Sequence, residues 1–64
     1  MVNLSRDLKP EDEIVLVYRA GGRIEVVSMR FSSLAGWLER HHVPPEEFAV
    51  IRAGGPEDIL WNGL

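Results

Sequence analysis

The sequence predicts an α+β fold: a small β-sheet built from a hairpin and one or two further strands, with a single helix packed on one face. Three observations carry this. Two runs rich in β-branched residues, "EIVLVYR" from Glu13 and "RIEVVSMRF" from Arg23, flank Ala20-Gly21-Gly22, where the glycines reach positive φ at little cost. The next stretch, "SSLAGWLERHHV", changes to helical period, with Leu34, Trp37 and Leu38 on one stripe and His41 at the same spacing. Pro44-Pro45 then forbids continuation, and "FAVIRAGG" returns to strand character.

The elements follow in order. Residues 1–12 carry scattered apolar positions and Pro10 ahead of acids, which reads as an N-terminal arm or a short helical turn. A three-residue hairpin loop would place Ile14, Leu16 and Tyr18 on one face with Ile24 and Val26, the face that suits the helix. The opposite face would carry Glu13, Val15, Val17, Arg19, Arg23, Glu25, Val27 and Met29. A two-residue loop would swap the contributions of the second strand. One helix covers one face of a sheet, so the other is covered by the arm, used in a homodimer or offered to a partner.

In the helix, Ser32 or Ser33 is available as N-cap. Gly36 costs about 1 kcal/mol relative to alanine, so either the helix is weak there or something packs close to its backbone. Trp37 is expected in the core, and "DILWNGL" offers a final short strand or tail. The sheet is expected to be antiparallel or mixed.

Length and composition bound the function. Residues 1–64 make one domain, and a chain of this size buries only about 60% of its unfolded surface. There is no cysteine, so no disulfide staples it and no thiolate is available for metal or catalysis; a cytoplasmic setting fits. No segment reads as a secretory signal or a bilayer span. Seven basic residues against ten acidic give a net charge of −3, which disfavours direct binding of nucleic acid.

The tetrapeptide Arg-Ala-Gly-Gly occurs twice, at 19–22 and 52–55. A phosphate-binding loop opens into a helix; the first copy runs into a strand, and the second meets Pro56, which lacks an N–H. Both are read as turns. His41 and His42 are adjacent, and on a helix they point about 100° apart, a poor grip for one metal. Ser32 and Ser33 lie in no nucleophile elbow. The expectation is a protein without catalytic residues, metal or cofactor.

What remains is binding of protein. The acids group as Glu11-Asp12-Glu13, Glu46-Glu47 and Glu57-Asp58; with Glu25 and Trp61 they are the candidate partner-contacting residues. Trp61 reads equally as edge of the core.

Two resemblances add to this. The order hairpin, helix "SLAGWLERHHVPPEEF" and strand "AVIRAGG" resembles the β-grasp sulfur carriers of cofactor biosynthesis. Those end in Gly-Gly, whereas Asn62-Gly63-Leu64 stands here, so this resemblance implies an adaptor or carrier relative without the carrier terminus. Element order, size, charge and the helix exit "HHVPPEEFAVIR" resemble small phage-encoded inhibitors of host machinery, among them the T7 inhibitor of host RNA polymerase and the anti-CRISPR proteins. That resemblance implies a monomer or homodimer whose acids act as a DNA mimic. Its partner would be a CRISPR effector subunit or another nucleic-acid enzyme, bound at a basic surface in the host cytoplasm.

Overall fold

The computed structural model describes residues 8–64, at positions 56 and 57 for the backbone alone. Four strands form one antiparallel sheet: β1 (Glu13–Ala20), β2 (Arg23–Arg30), β3 (Phe48–Arg52) and β4 (Gly55–Asn62), in the spatial order β2-β1-β3-β4. One helix, α1 (Phe31–His41), and a short 3₁₀ turn, Pro45–Glu47, connect β2 to β3. Since β2 and β3 both run antiparallel to β1, they are parallel to each other, and the helix carries the chain across β1.

The hairpin closes with two loop residues, not three. Ala20 lies opposite Arg23, and Gly21 and Gly22 both take positive φ, 58° and 79°, the mirror-image turn that matches strand twist. This corrects the expected register. Leu16 pairs with Val27 and Ile14 with Met29, so Val27 and Met29 stand on the helix face, while Ile24 and Val26 move to the other.

The core lies between the sheet and α1. Ile14, Leu16, Phe48 and Val50 are sealed from solvent, with Leu34 of the helix and Leu60 of β4. Burying each such side chain contributes about 1.5–3 kcal/mol, so this small cluster accounts for much of the stability. Trp37 packs at the margin of this cluster, with Phe31, Leu38 and Val43. Leu8 packs against the same cluster, which brings the described part of the arm to the helix side of the sheet. Residues 1–7 of the arm lie outside the described residues.

The helix ends differ from expectation at both termini. Arg30 is the N-cap and makes no capping side-chain bond, so neither Ser32 nor Ser33 serves. Instead the N–H groups of Phe31 and Ser32 donate to the carbonyls of Asp12 (2.8 Å) and Pro10 (3.0 Å). Backbone oxygen from a segment distant in sequence thus satisfies the first two of the N–H groups that a helix start leaves without an intrahelical partner. At the other end His42 adopts a left-handed conformation (φ 54°, ψ 46°) and Val43 N–H donates back to the Leu38 carbonyl, a geometry in which glycine is usual. Nothing approaches Gly36 closely; a β-carbon there would meet only the tip of Arg40.

The second Gly-Gly is again a turn. Gly54 carries the positive φ (81°) and leads into β4, the strand foreseen in "DILWNGL", although it begins earlier, at Gly55. In β4 the register slips: Val50 faces Trp61 and Ile51 faces Ile59, which leaves Leu60 as an extra residue. That bulge turns both Leu60 and Trp61 toward the helix side, against the alternation of a regular strand.

Candidate functional site

The helix leaves the second face of the sheet uncovered among the described residues. Strand alternation puts Glu13, Val15, Val17 and Arg19 of β1 there, with Ile24, Val26, Ser28 and Arg30 opposite them on β2. From the other flank, Ala49 and Ile51 of β3 stand beside Val17 and Val15, and Ile59 of β4 beside Ile51. Two adjacent rows result: Val26-Val17-Ala49, closed by Asn62, and Ser28-Val15-Ile51-Ile59.

The rows are apolar apart from Ser28 and Asn62, and open apart from Ala49, which its larger neighbours bury. Val26 is 64% exposed, Ile24 56% and Ile59 47%, whereas Val15, Val17 and Ile51 in the middle are half-buried by their neighbours. Charge is confined to the ends, with Arg19 beyond one row and Glu13 and Arg30 beyond the other. An apolar centre with a charged margin is the anatomy of a protein-contact surface. It offers no nucleophile, base or anion cradle.

Sequence reading located this face through Val15, Val17 and Arg19 but assigned the wrong half of β2. It missed Ala49, Ile51 and Ile59. The alternation around Phe48 and Val50 carries the signal for the first two; for Ile59 the bulge removes it.

The acidic candidates fall in three places. Asp12 and Asp58 are drawn together by Arg52, whose Nε donates to Asp58 (2.8 Å) and whose Nη1 lies 3.8 Å from Asp12. Asp12 also accepts the Lys9 backbone N–H (3.0 Å), closing the turn before β1. Glu11 and Glu13 are exposed at this same end of the sheet. The Glu57 side chain lies outside the described residues.

Glu46 and Glu47 sit at the opposite end, in the 3₁₀ turn before Phe48, with Glu46 exposed and Glu47 half-buried. Phe48 faces Tyr18 and Glu13 lies five residues back along β1, so about 17 Å of sheet separates the two acidic groups. Glu25 stands apart again, on the helix side opposite Tyr18, with Arg23 at 3.9 Å. No single patch gathers them.

Trp61 anchors the C-terminal strand from within. Its indole N–H donates to the Pro45 carbonyl (3.0 Å) and its ring lies 6.3 Å from that of Phe48, tilted by 44°. Beside it the Gly63 N–H donates to the Phe48 carbonyl (2.9 Å), and a β-carbon at Gly63 would overlap the Pro45 carbonyl oxygen. On the outer margin of the helix, Tyr18 meets Trp37 edge-on at 4.8 Å and His41 stacks on Trp37 at 4.0 Å. His41 Nδ1 lies 3.1 Å from the Trp37 carbonyl oxygen, so this histidine is engaged at the helix end, while His42 is exposed.

Among the described residues, no group of three or more His, Cys, Asp or Glu is placed to hold a metal ion, and no helix is long and apolar enough to cross a membrane. No protein-family model, curated protein or solved structure matches this chain.

Proposed function

We propose that this chain is a non-enzymatic protein-binding module that works by occupying a surface of a larger protein, with the open face of the sheet as its contact surface. One observation carries the reading: Val15, Val17, Val26, Ile51 and Ile59 form a continuous apolar field on a face that α1 does not cover and that stays open among the described residues. Exposed valine and isoleucine on a sheet of this size lose solvation free energy unless something covers them, and that loss favours association.

The narrower reading is an anti-CRISPR-like inhibitor, with acids set against the basic nucleic-acid-binding surface of an effector complex. The net charge of −3 and the exposed Glu11, Glu13 and Glu46 support it. The engagement of Asp12 and Asp58 by Arg52, and the distance between the two ends, weigh against the acids as the main contact. In this reading they are rim charges that steer the encounter, and the apolar rows hold the complex.

The test is affinity capture from bacterial lysate expressing a CRISPR effector complex, at low and moderate salt, with tagged wild-type protein, Val17→Lys and the double variant Glu46→Lys/Glu47→Lys. Loss of a defined partner with Val17→Lys alone supports the open face. Loss with the double variant alone, together with strong salt sensitivity, transfers the contact to the acids. Capture unaffected by either variant removes both surfaces from the proposal.

A further inference from the structure

The two edges of the sheet differ in kind. On β4 the ladder is broken by the bulge at Leu60, and Pro56 brings no N–H, both devices that stop a strand from pairing outward. β2 has neither. It runs unbroken for eight residues, Arg23–Arg30, with no proline, no bulge and a charge only at its ends and at Glu25.

Which of its backbone groups face outward follows from the hairpin. Ala20 and Arg23 flank a two-residue turn and therefore exchange both hydrogen bonds, as do the alternate pairs Tyr18 with Glu25, Leu16 with Val27 and Ile14 with Met29. Ile24, Val26 and Ser28 consequently point N–H and C=O away from β1. Among the described residues, no backbone group from elsewhere in the chain bonds to them.

We propose that the β2 edge is a self-association site, which takes β2 of a second copy antiparallel about a two-fold axis at Val26. This register is the one that matches all of the outward positions. Val26 meets its own counterpart, Ile24 meets the partner copy's Ser28, and Ser28 meets the partner copy's Ile24. On the helix side Glu25 then lies opposite a valine and Arg23 opposite a methionine, so no like charges are directly opposed. The geometry is isologous, and the two open faces join into one. Val26 belongs to the apolar field as well, but this inference rests on the backbone edge of β2 and does not require the larger partner proposed above.

The test is sedimentation of the full chain across a wide concentration range, with near-UV circular dichroism as the control for folding. Wild type is expected to pass from 7.2 kDa to twice that mass as concentration rises. Val26→Lys opposes two lysines at the axis and should weaken association by roughly tenfold or more. The pair Ile24→Lys/Ser28→Glu places opposite charges across the joint twice and should retain the dimer, whereas Ile24→Lys/Ser28→Lys should abolish it. Ile51→Lys lies on the open face two strands in from the edge and should leave association unchanged. A wild-type chain monomeric up to millimolar concentration overturns the proposal, as does equal behaviour of the two double variants. If Ile51→Lys disrupts the dimer as strongly as Val26→Lys, the copies meet face to face and the edge assignment falls.

Discussion

Ile14 and Val15 are neighbours in one strand with nearly the same side chain, yet the first is wholly buried and the second half-open. Leu16 and Val17 repeat this contrast, and across the hairpin Val27 is half-buried where Val26 is exposed. Strand propensity does not distinguish the two sets, because β-branched residues suit both faces of a pleated sheet. The position of α1 does. One face is a core, and the other has the chemistry of a core without a cover among the described residues.

The core face is the more sensitive of the two to substitution. Leu16→Ala is expected to cost about 2–5 kcal/mol, comparable with the whole stability of a domain this small, so urea titration should find it largely unfolded at room temperature. The Gly63→Ala variant comes next. Its new β-carbon must displace the Pro45 carbonyl, and a loss of about 1–3 kcal/mol is expected, with faster amide exchange along β4 than along β2. Uniform exchange in that variant would show that the Gly63 contact does not hold β4.

Gly36→Ala and His42→Gly are expected to act in the other direction. Both positions are exposed; Gly36 carries the low helix propensity of glycine and His42 holds a left-handed backbone that glycine takes without strain, so each change should stabilise by about 1 kcal/mol, raising Tm by roughly 4–8 °C. If Gly36→Ala destabilises, the Arg40 guanidinium beside it does not give way to the new β-carbon. The smallest effect is the sharpest test of the open face. Val26→Thr should change stability by less than about 0.5 kcal/mol at low concentration, and a substantially larger loss in dilute solution would mean that the valine is covered there.

Much of the architecture was legible in the sequence, because Gly21-Gly22, the change of period at Leu34 and the stop at Pro44-Pro45 are local signals. The hairpin register was not. Loops of two and three residues both fit Ala20-Gly21-Gly22-Arg23, and the choice shifts every side chain of β2 to the other face. The N-cap was hidden for a different reason: the acceptors belong to Pro10 and Asp12, and no nearby residue announces them. Trp61 could be read either way until the Pro45 carbonyl was placed beside its indole. The acids were legible as clusters but not as ion pairs, since Arg52 joins Asp12 to Asp58 only once β1, β3 and β4 have assembled.

The carbonyls of Pro10 and Asp12 at the start of α1 also bear on the order of folding. A short helix nucleates poorly by itself, and here the acceptors for its first N–H groups arrive only when the chain ahead of β1 has been drawn across the end of β2. Closure of the Asp12–Phe31 contact therefore completes the capping of the first turn, which ties a local element to a contact distant in sequence. An excised peptide spanning the helix is accordingly expected to be mostly coil, and in the intact chain helix and sheet should appear in a single kinetic phase.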